Sequence, residues 1–225
     1  EDRLQMVLSV SYKMPVNNIP DTNWDKVSGY VVVYERSSIS EEFTEYQKIR
    51  GPKDPTETLP FGLSVDIEGD LLVVSAVQRI YIYERSGGSF VLDTTKDLFA
   101  DFGSNLKEAR GVKISGTDLI VFYSGAVLNN AAITDEHVSG HLSFLYLNAG
   151  NWVYSNTYYP PLTLIGNVAD RQGSAVEVIN TGGKRLIVCG NPGDRKDEAL
   201  TNATYYATQM GAVYIYEWTG GATLS

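Results

Sequence analysis

Short runs of Val, Ile, Leu and Tyr alternate along this chain with breaks at Gly, Ser, Asn and Asp. A period of two between bounded turns is the signature of half-buried β-strands rather than helices. The clearest stretch is FGLSVDIEGDLLVVSA (61–76), followed by RIYIYERSGGSF (79–90). It predicts strands over Leu63–Glu68, Leu71–Ala76, Ile80–Glu84 and Ser89–Asp93. Gly69-Asp70 and Ser86-Gly87-Gly88 supply the turn chemistry between them. No long stretch carries a 3.6-residue apolar period. LKEARGV (106–112) could make one helical turn, but its glycine and the strand pattern after it argue against a helix.

The pattern repeats. GYVVVYERS (29–37), RIYIYERSGG (79–88) and GAVYIYEWTGG (211–221) resemble one another, with GHLSFLYLNAGNW (140–152) a weaker relative. An aromatic residue follows most of these runs: Phe43, Phe90 and Trp152. The other half of the unit, 61–76, is echoed by RGVKISGTDLIVFYSG (110–125) and QGSAVEVINTGGKRLIVCGNP (172–192). Gly62, Gly111 and Gly173 stand 49 and 62 residues apart, and Tyr34, Tyr83 and Leu145 keep the same two intervals. Phased units of four strands predict a β-propeller, whose sheets bury their faces on one another. A β-sandwich is the structural runner-up, but it does not predict phased repeats. The expected repeats span approximately 1–56, 57–106, 107–167 and 168–225, with the first and last incomplete. Residues 1–12 already read like a second strand, and Ser225 falls where a fourth strand would begin. The expectation is about four blades of a larger propeller of six or seven.

Composition narrows the partners. A net charge of −9 and a pI near 4.7 disfavour nucleic acid and anionic membrane surfaces. No apolar run approaches the roughly 20 residues of a membrane span. The chain opens at Glu1-Asp2 without an initiator Met or signal peptide, which predicts that its true N-terminus was removed. The single cysteine, Cys189, follows Leu186-Ile187-Val188 and reads as a buried structural thiol.

On the residues just quoted, the chain resembles the FG-GAP repeats of integrin α-subunit propellers and of many extracellular proteins. Phe61-Gly62, Ser64-Val65, Gly69-Asp70, Val73-Val74 and Tyr81-Ile82-Tyr83-Glu84-Arg85 match the calcium-free variety of that repeat. The third unit departs, with Arg110-Gly111 in place of Phe-Gly. The fourth carries Gln172-Gly173 and a long insertion over 191–210. The resemblance implies a propeller of four-stranded antiparallel blades and an extracellular or cell-surface setting.

Integrin-type repeats hold calcium in D-x-D-x-D-G loops, and Asp66, Glu68 and Asp70 have a D-x-E-x-D spacing. Calcium needs six to eight oxygens on a turning loop. Only Asp70 sits firmly in the turn, so solvated strand-end carboxylates are the preferred reading and no cofactor is expected. Asp194, in the polar loop 191–198, has Arg195 and Lys196 beside it, which favours a solvent loop. His137 and His141 would share a face only on a helix, and DEHVSGH reads as a loop-to-strand junction. No nucleophile elbow, P-loop or Rossmann glycine pattern occurs, and nothing nominates a carboxylate pair for glycoside hydrolysis. An enzyme is therefore not expected.

Tyr154, Tyr158-Tyr159 and Tyr205-Tyr206 lie in or near predicted loops and suit either seams between sheets or contacts with a partner. Asn202-Ala203-Thr204 is a glycosylation sequon. The insertions 126–139, 154–167 and 191–210 are the expected contact loops, since long loops on a rigid scaffold usually carry function. The sequence thus points to a non-catalytic extracellular module that binds a protein partner through Tyr158, Tyr159, Asp194, Tyr205 and Tyr206. The alternatives are a carbohydrate-binding propeller, or a propeller appended to a secreted enzyme.

Overall fold

Alternating β-branched and aromatic residues pair into strands throughout the computed structural model, which describes residues 4–10, 29–52, 61–76, 79–97, 109–128, 137–158, 175–191 and 212–219. Among these residues there are fourteen strands and no helix. The first sheet holds β1 (Leu4–Val10), β2 (Tyr30–Arg36) and β3 (Thr44–Arg50). The second holds β4 (Ser64–Glu68), β5 (Leu71–Ser75), β6 (Arg79–Ser86) and β7 (Ser89–Asp97). The third holds β8 (Ala109–Ser115), β9 (Asp118–Leu128), β10 (His137–Asn148) and β11 (Asn151–Tyr158). The fourth holds β12 (Ala175–Thr181), β13 (Lys184–Asn191) and β14 (Ala212–Trp218). Every sheet is an antiparallel meander in chain order, and none closes on itself. The chain divides into two compact units, Glu1–Leu98 and Phe99–Ser225, with two sheets in each.

In the first unit, Val31, Val33 and Ile49 of the first sheet pack against Leu72, Val74, Tyr81 and Tyr83 of the second. Register explains which residues meet. Val65 lies opposite Val74 and Val74 opposite Tyr81, while Ile67, Leu72 and Tyr83 form a parallel row. Directly opposed residues share a face, so these two rows make one apolar surface. The other face of the second sheet is buried as well, at Val73, Ile80 and Ile82. The second unit repeats the design. Ile120, Leu142 and Phe144 of the third sheet pack on Val176, Ile187, Cys189 and Trp218 of the fourth, flanked by Tyr214 and Tyr216.

The Phe-Gly pair has a physical reason. Phe61 is buried and meets Tyr81 edge to face, with centroids 5.3 Å apart. Gly62 and Leu63 donate their backbone N–H groups to the Ser75 carbonyl at 3.0 and 3.1 Å. Gly62 holds φ +85°, and a Cβ there would come within 3.3 Å of Ser9 Cβ in the first sheet. Only glycine meets both demands. The buried Ser75 hydroxyl is satisfied by the backbone of Ser64, accepting from its N–H at 2.9 Å and donating to its carbonyl at 3.3 Å.

Several expectations are corrected. Gly111 does not repeat the role of Gly62: it lies within β8 opposite Phe122, beside a bulge at Arg110. Gly173 lies outside the described residues. The stretch 126–139 is not wholly a loop, because Val127 pairs with Val138 and Leu128 with His137, prolonging the β9–β10 hairpin. His137 and His141 therefore belong to β10, which carries a register shift between Ser139 and His141. Tyr154 and Tyr158 lie in β11. The last strand of the second sheet runs on to Asp97. A bulge between Ile82 and Tyr83 and the β-branched Thr94 and Thr95 keep its pairing going.

Gly62→Ala should lower stability more than Gly69→Ala. Both glycines hold positive φ, which costs an L-residue about 1–2 kcal/mol, but a Cβ at position 69 meets nothing within 4 Å. Urea denaturation of the two variants reads the difference directly.

Candidate functional site

A densely built polar cluster sits at the seam of the first two sheets, where β2 turns into β3 and β6 into β7. At its centre is Arg85, at the end of β6. Its side chain is 11% exposed, and it forms an ion pair with Glu35 of β2, which is 12% exposed. Gln5 on β1 donates to the same carboxylate at 3.1 Å. The guanidinium also packs on two rings, 4.5 Å from the Tyr46 centroid and 4.6 Å from that of Phe90. The Gln47 side-chain amide completes the seam, donating to the Phe90 carbonyl at 2.9 Å and accepting from its N–H at 2.7 Å. Tyr46 donates its hydroxyl to the Gly88 carbonyl. The Gly87-Gly88 turn, with both φ values positive, brings these backbone groups to the seam.

The second unit has a joint of the same kind built from other residues. Arg185 of β13 lies 4.3 Å from the Trp218 ring centroid and pairs with Asp118 of β9 at 2.8 Å. Lys113 of β8 reaches Glu177 of β12 at 3.0 Å. In both units a guanidinium on one sheet stacks on an aromatic of that sheet and takes a carboxylate from the sheet before it. The chemistry of such a cluster is cohesion. Each guanidinium is committed to a carboxylate and to rings inside the fold.

Sequence reasoning quoted Arg85 only as part of the repeat and missed this role. The signal was present: Glu35-Arg36 and Glu84-Arg85 each precede an aromatic, Phe43 and Phe90. Arg36 does stack on Phe43, at 4.4 Å.

The three carboxylates weighed for calcium do not converge. Asp66 and Glu68 share the face of β4 opposite Val65 and Ile67, facing Val73 and Leu71 in register. Asp70 lies in the turn, and its carboxylate is taken by Arg85 Nε at 3.0 Å. Among the described residues no group of three or more His, Cys, Asp or Glu could hold a metal ion. Tyr158 pairs opposite Leu142 near the end of β11. Tyr159, Asp194, Asn202, Tyr205 and Tyr206 lie outside the described residues.

An open groove of about 370 Å3 borders the β12–β13 hairpin, lined by Asn180–Arg185. Both of its cations are engaged, Lys184 with Glu217 at 2.7 Å and Arg185 with Asp118. Cys189 is fully buried, and burial pushes its thiol up to about 12. Burial likewise raises the Tyr83 phenol, with the neighbouring Tyr81 adding to the effect. Among the described residues no helix is long and apolar enough to cross a membrane.

Comparisons with known proteins bring no family to this chain. No family model and no curated protein matches it. Among solved structures it is similar to a chain of the Saccharomyces cerevisiae assembly of dbp5 bound to nup159, gle1, ip6 and adp. The identity there is 11% and the TM-score 0.39, over 84% of this chain. This chain spans 57% of that one, and a likeness of that degree carries neither fold nor function across.

Two sets of variants test the joint and the thiol. Arg85→Leu should cost about 3 kcal/mol or more in chemical denaturation, because Glu35 would remain buried without its cation. Asp70→Asn should cost less than about 1 kcal/mol, since that carboxylate is largely in solvent. Equal losses would mean that the buried pair is not what holds the seam. Cys189 should react with a thiol reagent at pH 8 only after unfolding. Its raised pKa adds stability that is intact below pH 9 and is lost as pH rises from 9 toward 12, where the unfolded thiol ionises first.

Proposed function

We propose that the chain is a β-propeller segment of FG-GAP type, serving as a non-catalytic extracellular interaction module that binds a protein partner through its longer loops. One observation supports this above the rest. The four meanders follow one another in sequence, and repeat-matched side chains fill the sheet joints of both units. Val31 and Val33 meet Tyr81 and Tyr83 in the first unit, and Leu142 and Phe144 meet Tyr214 and Tyr216 in the second. A sandwich of two sheets would not need the same positions to recur.

The non-catalytic reading rests on what the polar residues are used for. The buried charged clusters among the described residues are joints between sheets, and the buried thiol is held protonated. In this reading the scaffold carries no chemistry of its own, and recognition falls to the segments outside the regular strands. The segments 129–136 and 192–211 make matching connections, from β9 to β10 and from β13 to β14.

Replacing residues 129–136 and 191–210 by short turns should leave the thermal transition within a few degrees of the parent while abolishing capture of the partner, read by affinity purification from cell-surface extracts. Undiminished capture would rule out these loops as the binding elements. A glycan array on the same proteins separates protein adhesion from sugar binding. Small-angle scattering by the natural polypeptide tests the ring itself.

A further inference from the structure

Two hairpins that lead into an outer strand are as short as hairpins become. Gly87-Gly88 alone joins β6 to β7, and Ala149-Gly150 alone joins β10 to β11. The matching connection of the first sheet, from β2 to β3, takes seven residues, Ser37–Phe43. The extra length is tied down. Arg36 folds back over it, donating from Nη1 to the Ile39 carbonyl at 3.1 Å and to the Glu41 carbonyl at 3.4 Å. The same guanidinium lies 4.4 Å from the Phe43 ring centroid. Glu41 donates its N–H to the Ser38 carbonyl at 3.2 Å. The Ser37 hydroxyl donates to the Glu41 carboxylate, and the Ser38 and Ser40 hydroxyls hydrogen-bond at 3.0 Å. What this frame holds outward is Ile39. At 80% exposure it is the most exposed large apolar side chain among the described residues. Ser40, Glu41 and Glu42 beside it are exposed too, and SSISEEFTE (37–45) carries three carboxylates and no cation.

We propose that Ser37–Glu42 is a preformed recognition loop for a protein partner that offers an apolar pocket edged by Lys or Arg. Ile39 is the anchor that enters the pocket, and the carboxylates of Glu41 and Glu42 meet its rim. The inference adds a second site to the proposed binding module, and it depends neither on the repeat family nor on the longer loops. A single exposed aliphatic is ordinary on a protein surface. Three features set this one apart. Joining β2 to β3 does not require seven residues, since two suffice in the neighbouring sheets. The added residues are fixed by side-chain and backbone bonds, so the loss of loop freedom falls on folding and not on binding. The charge around the tip is of one sign, which selects a cationic partner and speeds encounter with it. The same charge is repelled by an anionic membrane surface.

The test pans a random peptide library displayed on phage against the 225-residue chain and measures the selected peptides by fluorescence polarisation. They should combine an aliphatic or aromatic residue with two or more Lys or Arg. Ile39→Ser should weaken them roughly tenfold or more, as the loss of an interface anchor does. It should leave the urea midpoint in place, because the side chain is already in water. Glu42→Gln should slow association and flatten its dependence on salt. Three results would overturn the inference: peptides that bind the Ile39→Ser variant as tightly as the parent, selected peptides without cations, or self-association of the chain that Ile39→Ser abolishes in sedimentation. The peptides should also bind the variant with 129–136 and 191–210 shortened as they bind the parent. Their loss from that variant alone would assign binding to the longer loops, so the failure of this loop is distinguishable from failure of the proposed function.

Discussion

The packing within each unit depends on one constraint: the central strands carry apolar side chains that a neighbouring sheet must cover. Val31, Val32 and Val33 are consecutive and buried, as are Ile80, Tyr81, Ile82 and Tyr83. Successive side chains in a strand point to opposite faces. A run that is buried at every position is therefore covered on both sides along its own strand. Face-to-face stacking removes this surface from water at roughly 25 cal/mol per Å2 of apolar area. Turns and caps act on a much smaller scale. They decide where strands end, while stacking decides that the strands exist at all.

This constraint was legible in the sequence because it is written in strand composition. Runs such as YVVVYER and RIYIYERS announce central strands, and their Gly-rich breaks announce hairpins. The positions of all four strands in the second sheet follow from residues 61–97 to within a few residues at each end. What failed was the finer phase. Gly62 and Gly111 share an interval with the tyrosine landmarks, yet they occupy different places, because the turn between Ser115 and Asp118 comes only 47 residues after that between Glu68 and Leu71, and the strand before it carries a bulge at Arg110. A bulge is one extra residue with no compositional mark. For the same reason 126–139 looked like a loop, when Ala126–Leu128 and His137–Ser139 continue the hairpin.

The polar seams were harder to read, for a different physical reason. A guanidinium clamp joins residues far apart in the chain: Arg85 and Glu35 are fifty residues apart, and Arg185 and Asp118 sixty-seven. Local pattern cannot show which carboxylate an arginine will meet. It does show that an Arg beside an aromatic recurs, and the stacking of Arg36 on Phe43 and Arg85 on Phe90 gives that recurrence a cause. The D-x-E-x-D spacing misled in the opposite direction. Strand geometry sends Asp66 and Glu68 to one face of β4, while Asp70, in the turn, is drawn to Arg85.

The two units also make the same kind of joint from residues at different places in their sheets. In the first, the arginine lies on strand three and its ring, Phe90, on strand four. In the second, the arginine lies on strand two and the ring, Trp218, on strand three. Glu35 is supplied by the end of β2, the middle strand of the preceding sheet, but Asp118 by the start of β9. The contact set is the same in both: a guanidinium, an aromatic face and a carboxylate from the sheet before. The residues that make it have moved. A cation over a ring and an ion pair are satisfied wherever the three groups meet. The apolar rows have less freedom, because moving one residue by a single step turns it to the opposite face. Stacked aliphatic and tyrosine rows therefore keep their spacing from unit to unit, while the charged seam is rebuilt in each.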